Sequence, residues 1–89
     1  MVYLVLRRTA LSEAIRAARQ TGSAIWIGSD VTTAEENSRL QSEGVNLTIF
    51  TYPLSDATRE VLEDALSTIV EHHPGDVVWV QHVCPGERE

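Results

Sequence analysis

Four short apolar runs alternate with longer polar segments along the chain. The runs cover residues 2–6, 24–27, 45–52 and 77–83, and they are rich in β-branched and aromatic side chains. Strands that are apolar on both faces are typical of parallel sheets with helices packed on both sides. The pattern therefore predicts four strands that are largely covered on both faces. Trp26 and Trp79 are expected to be core residues, with a place in an interface as the alternative.

Three helices are predicted between these strands. Apolar residues recur at helical spacing from Leu11 in the first segment and over residues 55–71 in the third, as on the buried face of a helix. The second segment, which runs to about Ser42, has few apolar residues, so we expect that helix to lie shallowly over a sheet edge or a partner. The predicted caps are Thr9 for the first helix, Thr32 with Glu35 or Thr33 with Glu36 as a capping box for the second, and Ser55 or Asp56 for the third.

The resulting order βαβαβαβ predicts an α/β domain with a mostly parallel four-stranded sheet between helices. Our first choice of topology is a flavodoxin-like strand order, 2-1-3-4, and we expect residues 1–89 to form a single domain with a frayed tail from about Pro85. The alternative is a ferredoxin-like βαββαβ arrangement, in which the second helix is only an elaborate connection and the third strand is antiparallel to the second.

Composition narrows the classes of function. The chain has 89 residues and a formal net charge of -6, which opposes the phosphate contacts on which nucleic-acid affinity depends. Its apolar runs are much shorter than the roughly 18 residues of a membrane span, and the first residues do not resemble a signal peptide. The lone Cys84 cannot form a disulfide within the chain. We therefore expect a cytoplasmic protein without a nucleic-acid or membrane partner.

Parallel strands would bring several polar residues to one edge of the sheet, where their carboxyl ends open onto a crevice. An anionic ligand could be held there by arginine side chains and by free N–H groups at the start of the second helix. Asp30 could act as hydrogen-bond acceptor or base, and Tyr52 or His82 as proton donor. Against this, Asp30, Glu35 and Glu36 offset the positive end of that helix. The candidate ligand-binding residues are Arg7, Arg8, Ser29, Asp30, Tyr52 and His82.

The motifs of common cofactor and catalytic sites are absent from the sequence. Neither a phosphate-binding glycine loop nor a nucleophile elbow occurs around Ser29. His72, His73, His82 and Cys84 do not follow a zinc-ligand spacing, and a helix end followed by a turn explains the first two. We therefore predict no cofactor, no metal and no catalytic residue.

The leading functional hypothesis is a non-enzymatic domain that acts by binding, as a homodimer or as an accessory to another protein. It rests mainly on the absence of a nucleophile with its base, a metal-ligand spacing, a cofactor motif and a basic patch from the sequence, which leaves interaction as the default use. A small domain with two sheet edges also often gains stability by associating. One alternative is a sensor or enzyme that takes an anionic small molecule at the strand ends. The other is an acidic inhibitor or decoy that occupies a basic protein surface.

Overall fold

The strands form one sheet in the order β3-β2-β1-β4, and all neighbouring pairs are parallel. This arrangement is seen in a computed structural model that describes residues 1–81; His82, Cys84 and the tail predicted from Pro85 lie outside the described residues. The elements are β1 (Val2–Val5), α1 (Leu11–Thr21), β2 (Ala24–Ile27), α2 (Ala34–Ser42), β3 (Leu47–Ile49), α3 (Arg59–His72) and β4 (Val78–Val80), with a 3-10 turn at Arg8–Ala10 before α1.

The parallel sheet confirms the α/β class and contradicts the ferredoxin-like alternative. The predicted order 2-1-3-4 is wrong, because β3 lies outside β2 instead of beside β1. Ile25 pairs with Leu47 on one side and with Tyr3 on the other. Both orders can be built from right-handed crossovers, so the crossover rule alone does not choose between them.

Two apolar cores lie on opposite faces of the sheet. The first joins α1, α2 and the inward residues of β1, β2 and β3; the second lies between the sheet and α3. Ile25 and Ile27 point into the first core, and Trp26 lies in the second, as the alternation of side chains along a strand requires. Trp26 is therefore a core residue, as predicted.

Only some of the predicted helix caps form. The capping box of Thr33 and Glu36 is present: the Glu36 N–H donates to the Thr33 hydroxyl, and the Thr33 N–H donates to the Glu36 carboxylate. Thr9 does not cap α1, which follows the 3-10 turn without a side-chain cap. The third prediction is also wrong, since α3 begins later and its cap is Thr58, whose hydroxyl accepts from the Val61 N–H.

Two further expectations concern how deeply the elements are buried. Leu40 is the one buried residue of α2, in agreement with a shallow helix. Trp79 was expected in the core, yet 58% of its surface is exposed. The reason is topological. β4 is an edge strand, and the core that contains α1 and α2 covers β1, β2 and β3. The helices within residues 1–81 lack the length and hydrophobicity that a membrane span requires.

Candidate functional site

Asp30 ties together two of the loops that follow the strands. Its carboxylate accepts hydrogen bonds from the Leu54 N–H, at 3.2 Å, and from the Ser55 hydroxyl. The preceding residue, Ser29, donates its N–H to the Tyr52 carbonyl at 3.0 Å. The loop after β2 is thus fastened along its length to the loop between β3 and α3.

These bonds change the acidity of Asp30. Partial burial of the carboxyl would raise its pKa, but the hydrogen bonds from Ser55 and from the Leu54 backbone outweigh that effect. The net result is a pKa below the ordinary value for aspartate. Asp30 is therefore a carboxylate at neutral pH, and its role here is to accept hydrogen bonds from its own chain.

The two arginines that follow β1 also bind their own chain. The Arg7 guanidinium donates to the Ser55 carbonyl at 3.1 and 3.2 Å, and it lies 3.4 Å from the Asp56 carboxylate. Arg8 donates to the Val31 carbonyl at 3.2 Å and grips both carboxylate oxygens of Glu36. All three loops at this edge are thereby connected by side chains that the sequence suggested as ligand contacts.

Glu36 occupies the amino end of α2. It closes the capping box and receives the Arg8 guanidinium, and these two hydrogen bonds lower its pKa to about 2. The same contact raises the pKa of Arg8. An anionic ligand at this helix end would have to displace a carboxylate that is already held by the Arg8 guanidinium and by the Thr33 N–H.

Tyr52 contributes its carbonyl to this edge, while its ring packs on the second core. The ring centroids of Tyr52 and Phe50 are 5.3 Å apart. Partial burial, with a further contribution from the nearby Asp64 carboxylate, raises the pKa of the Tyr52 phenol. The remaining predicted site residue, His82, lies outside the described residues.

Gln81 is a connecting residue that the sequence did not reveal. Its side-chain carbonyl accepts from the Leu6 and Arg7 N–H groups, at 2.8 and 2.7 Å, and its amide donates to the Thr9 hydroxyl at 3.2 Å. Ser55 was likewise assigned to a helix cap but binds Asp30 and Arg7 instead. Glutamine and serine are common in loops, so nothing in the sequence pattern distinguishes these two.

The histidines after α3 have structural partners. The Trp26 indole N–H donates to Nε2 of His73 at 3.3 Å, and Nδ1 of His72 lies 2.9 Å from the Thr68 carbonyl. Within residues 1–81, no group of three histidine, cysteine or acidic side chains is placed to hold a metal ion. Binding of an anion at the strand ends stays a prediction, and three of the side chains proposed for it, those of Arg7, Arg8 and Asp30, form hydrogen bonds within the protein.

A second surface lies along β4, and it is apolar. Five large hydrophobic side chains are exposed among the described residues. Trp79 and Val80 lie on β4, Val77 directly precedes it, and Met1 directly precedes the neighbouring β1. We call these four residues the β4 strip. The fifth, Val70, lies on α3.

A groove runs beside the strip, on the face of the sheet that carries α1. It has a volume of about 300 Å³, and its walls are β1, β4 and α1. Tyr3 and Trp79 contribute from neighbouring strands, and Ala14 and Ala17 from the helix, while Glu13 is its one charged lining residue. Clustered exposed apolar side chains of this kind are typical of protein interaction sites.

Comparison with family models, with curated proteins and with solved structures found no match to this chain.

Proposed function

We propose that this chain is a non-enzymatic protein-binding domain whose contact surface is the β4 strip and the adjoining groove. The observation that supports this most directly is the clustering of exposed apolar residues, because solvent-exposed apolar side chains on monomers are normally scattered. A cytoplasmic location and a protein partner, in place of a nucleic acid or a membrane, are part of the proposal.

The contrast between the two candidate surfaces supports this choice. At the strand ends, Arg7, Arg8 and Asp30 form hydrogen bonds with other groups of the protein. Along β4, Trp79 is 58% exposed, so the rest of residues 1–81 leaves most of its surface open to solvent. Tryptophan is among the residue types most enriched at the positions that dominate binding energy at interfaces.

Site-specific photocrosslinking in cells tests the proposal. Benzoylphenylalanine replaces Trp79 in one variant and Val70, which is exposed to a similar degree on α3, in the control. We expect a discrete covalent adduct from position 79 and none from position 70. If position 79 gives no adduct, or the two positions give the same diffuse background, the proposed contact surface is wrong.

A further inference from the structure

We infer that the occupant of the β4 strip is a second copy of this chain, paired antiparallel through β4 with the two-fold axis at Trp79. This inference rests on the proposed function and specifies its partner. It follows from the direction of the backbone groups of β4, from the sequence of the strand and from its charge.

The hydrogen bonds between β1 and β4 show which backbone groups face outward. Val2 donates its N–H to the Val77 carbonyl at 2.9 Å, and Gln81 donates its N–H to the Leu4 carbonyl at 3.0 Å. Hydrogen-bonding direction alternates along a strand, so the N–H and carbonyl groups of Val78 and Val80 point away from β1. An edge strand with outward-facing groups of this kind is a template for another strand.

One antiparallel register uses all of these groups. When Trp79 lies opposite Trp79 of the second copy, Val78 lies opposite Val80 of that copy, and each such pair can exchange both of its N–H···O bonds. A two-fold axis requires a surface that complements itself. The sequence Val78-Trp79-Val80 is symmetric about Trp79, so each valine meets a valine across the axis.

This register also brings the two indoles together. Residues opposite each other without direct hydrogen bonds approach to about 4.5 Å between Cα atoms, and their side chains lie on the same face. Trp79 and the groove beside α1 share that face. The two grooves therefore adjoin across the axis, and the indoles cover apolar surface that each copy alone exposes.

The two edges of the sheet are protected differently. At the β3 edge, the Gln41 side-chain amide donates to the Leu47 carbonyl at 3.0 Å and occupies an outward-facing group. β4 is short, which itself limits pairing, but residues 77–81 contain neither a charge nor a proline, which are two further devices against pairing at an edge. Among the described residues, the β4 edge therefore lacks the protection that the β3 edge has.

Charge favours a neutral contact between copies. Two chains of net charge -6 repel each other, but residues 77–81 carry no ionisable side chain, and Glu13 is the one charged residue that lines the groove. The neighbouring Asp76 carboxylate lies 3.1 Å from the Met1 amino nitrogen. Salt screens the remaining repulsion, so we expect dimer affinity to stay constant or to rise with ionic strength. A basic protein partner would instead bind more weakly as salt increases.

Sedimentation velocity over a wide range of protein concentration tests the pairing. We expect a reversible dimer that Trp79→Glu weakens by about thirtyfold or more, as for a central interface residue, while Val70→Glu has no effect. Val80→Pro should also abolish the dimer, because the N–H that it removes points away from β1 and proline is tolerated at such edge positions. Circular dichroism checks that each variant folds.

Amide exchange measured by NMR tests the register. The Val78 and Val80 amides should become protected as concentration rises, whereas those of Trp79 and Gln81 should be protected at all concentrations.

A chain that stays monomeric at millimolar concentration, or a dimer that Trp79→Glu leaves intact, overturns the inference. If the chain is monomeric but position 79 crosslinks to a different protein, the proposed function stands and the self-pairing is wrong. If it is monomeric and no adduct forms, both fail.

Discussion

The backbone of Leu54 passes so close to Gly28 that a Cβ atom at position 28 would lie 2.7 Å from the Leu54 nitrogen and 2.9 Å from its Cβ. Gly28 is buried and directly follows β2, and Leu54 is 1% exposed in the core beneath α3. The approach lets the Leu54 N–H reach the Asp30 carboxylate. Glycine is therefore required at position 28, because a side chain there would prevent the two loops from approaching each other.

Gly28→Ala should destabilise the protein. The added methyl group would collide with backbone, which cannot move aside as a flexible side chain can, and overpacking of this kind costs about 1–3 kcal/mol. Urea unfolding measures the change. Ser29→Ala is the matched control, because Ser29 is exposed and its loss should change the free energy of unfolding by less than about 0.5 kcal/mol. Equal unfolding midpoints for the two variants would show that the loops do not depend on this contact.

Asp30→Asn should lower stability at neutral pH more than in acid. The pKa of Asp30 is lowered in the folded protein, so its carboxylate stabilises the fold above the ordinary aspartate pKa. That contribution is lost as pH falls through the folded pKa. We expect thermal melts of Asp30→Asn and the unmodified chain to converge at low pH. Asp56→Asn is the control, since the side chain of Asp56 is 88% exposed. A gap for Asp30→Asn that does not change with pH would contradict the prediction.

The sequence predicted the parallel sheet because strands 1 and 2 are apolar on both faces, which requires cover on both sides. It did not predict the strand order, because local hydrophobicity does not record whether the third strand pairs with β1 or with the outer side of β2. The Thr33–Glu36 box was recognisable since both partners lie within one turn. Thr58 was missed because the turn before it, anchored by Ser55 to Asp30, delays the start of α3. That contact spans 25 positions in sequence.

For the candidate site as well, the sequence predicted which residues follow the strands but not the distant groups that they contact. Parallel strands bring Arg7, Ser29 and Asp30 to one edge, as their positions after strands implied. Their partners could not be inferred, because each bond joins loops that are distant in sequence, as Arg7 to Ser55. Trp79 was expected in the core because its run is as apolar as the others. Whether a helix covers an apolar strand depends on its place in the sheet, which sequence pattern does not give.

In the Glu36→Gln variant, stability should decline less steeply as the pH falls. The Arg8 guanidinium and the Thr33 N–H hold the pKa of Glu36 at about 2, well below its ordinary value. The carboxylate therefore stabilises the fold above the ordinary pKa of glutamate, and this contribution declines as pH falls toward 2. Melting temperatures across this acid range measure the slope. Glu35→Gln serves as control, because Glu35 is exposed beside it in the first turn of α2. Parallel slopes for both variants would mean that the Arg8 contact does not form in solution.

Gln81→Ala should cost about 1–3 kcal/mol, because it leaves two partly buried N–H groups without their acceptor. Those groups, on Leu6 and Arg7, lie where the chain leaves β1, so their amide exchange should also accelerate. Thr9→Ala removes only the outer hydrogen bond from Gln81, at 3.2 Å, and should have a much smaller effect on both measurements. Gln81→Glu keeps an acceptor for both N–H groups and should restore most of the lost stability. The acceptor role of Gln81 is refuted if Thr9→Ala and Gln81→Ala are equally destabilising, or if exchange at Leu6 and Arg7 is unchanged.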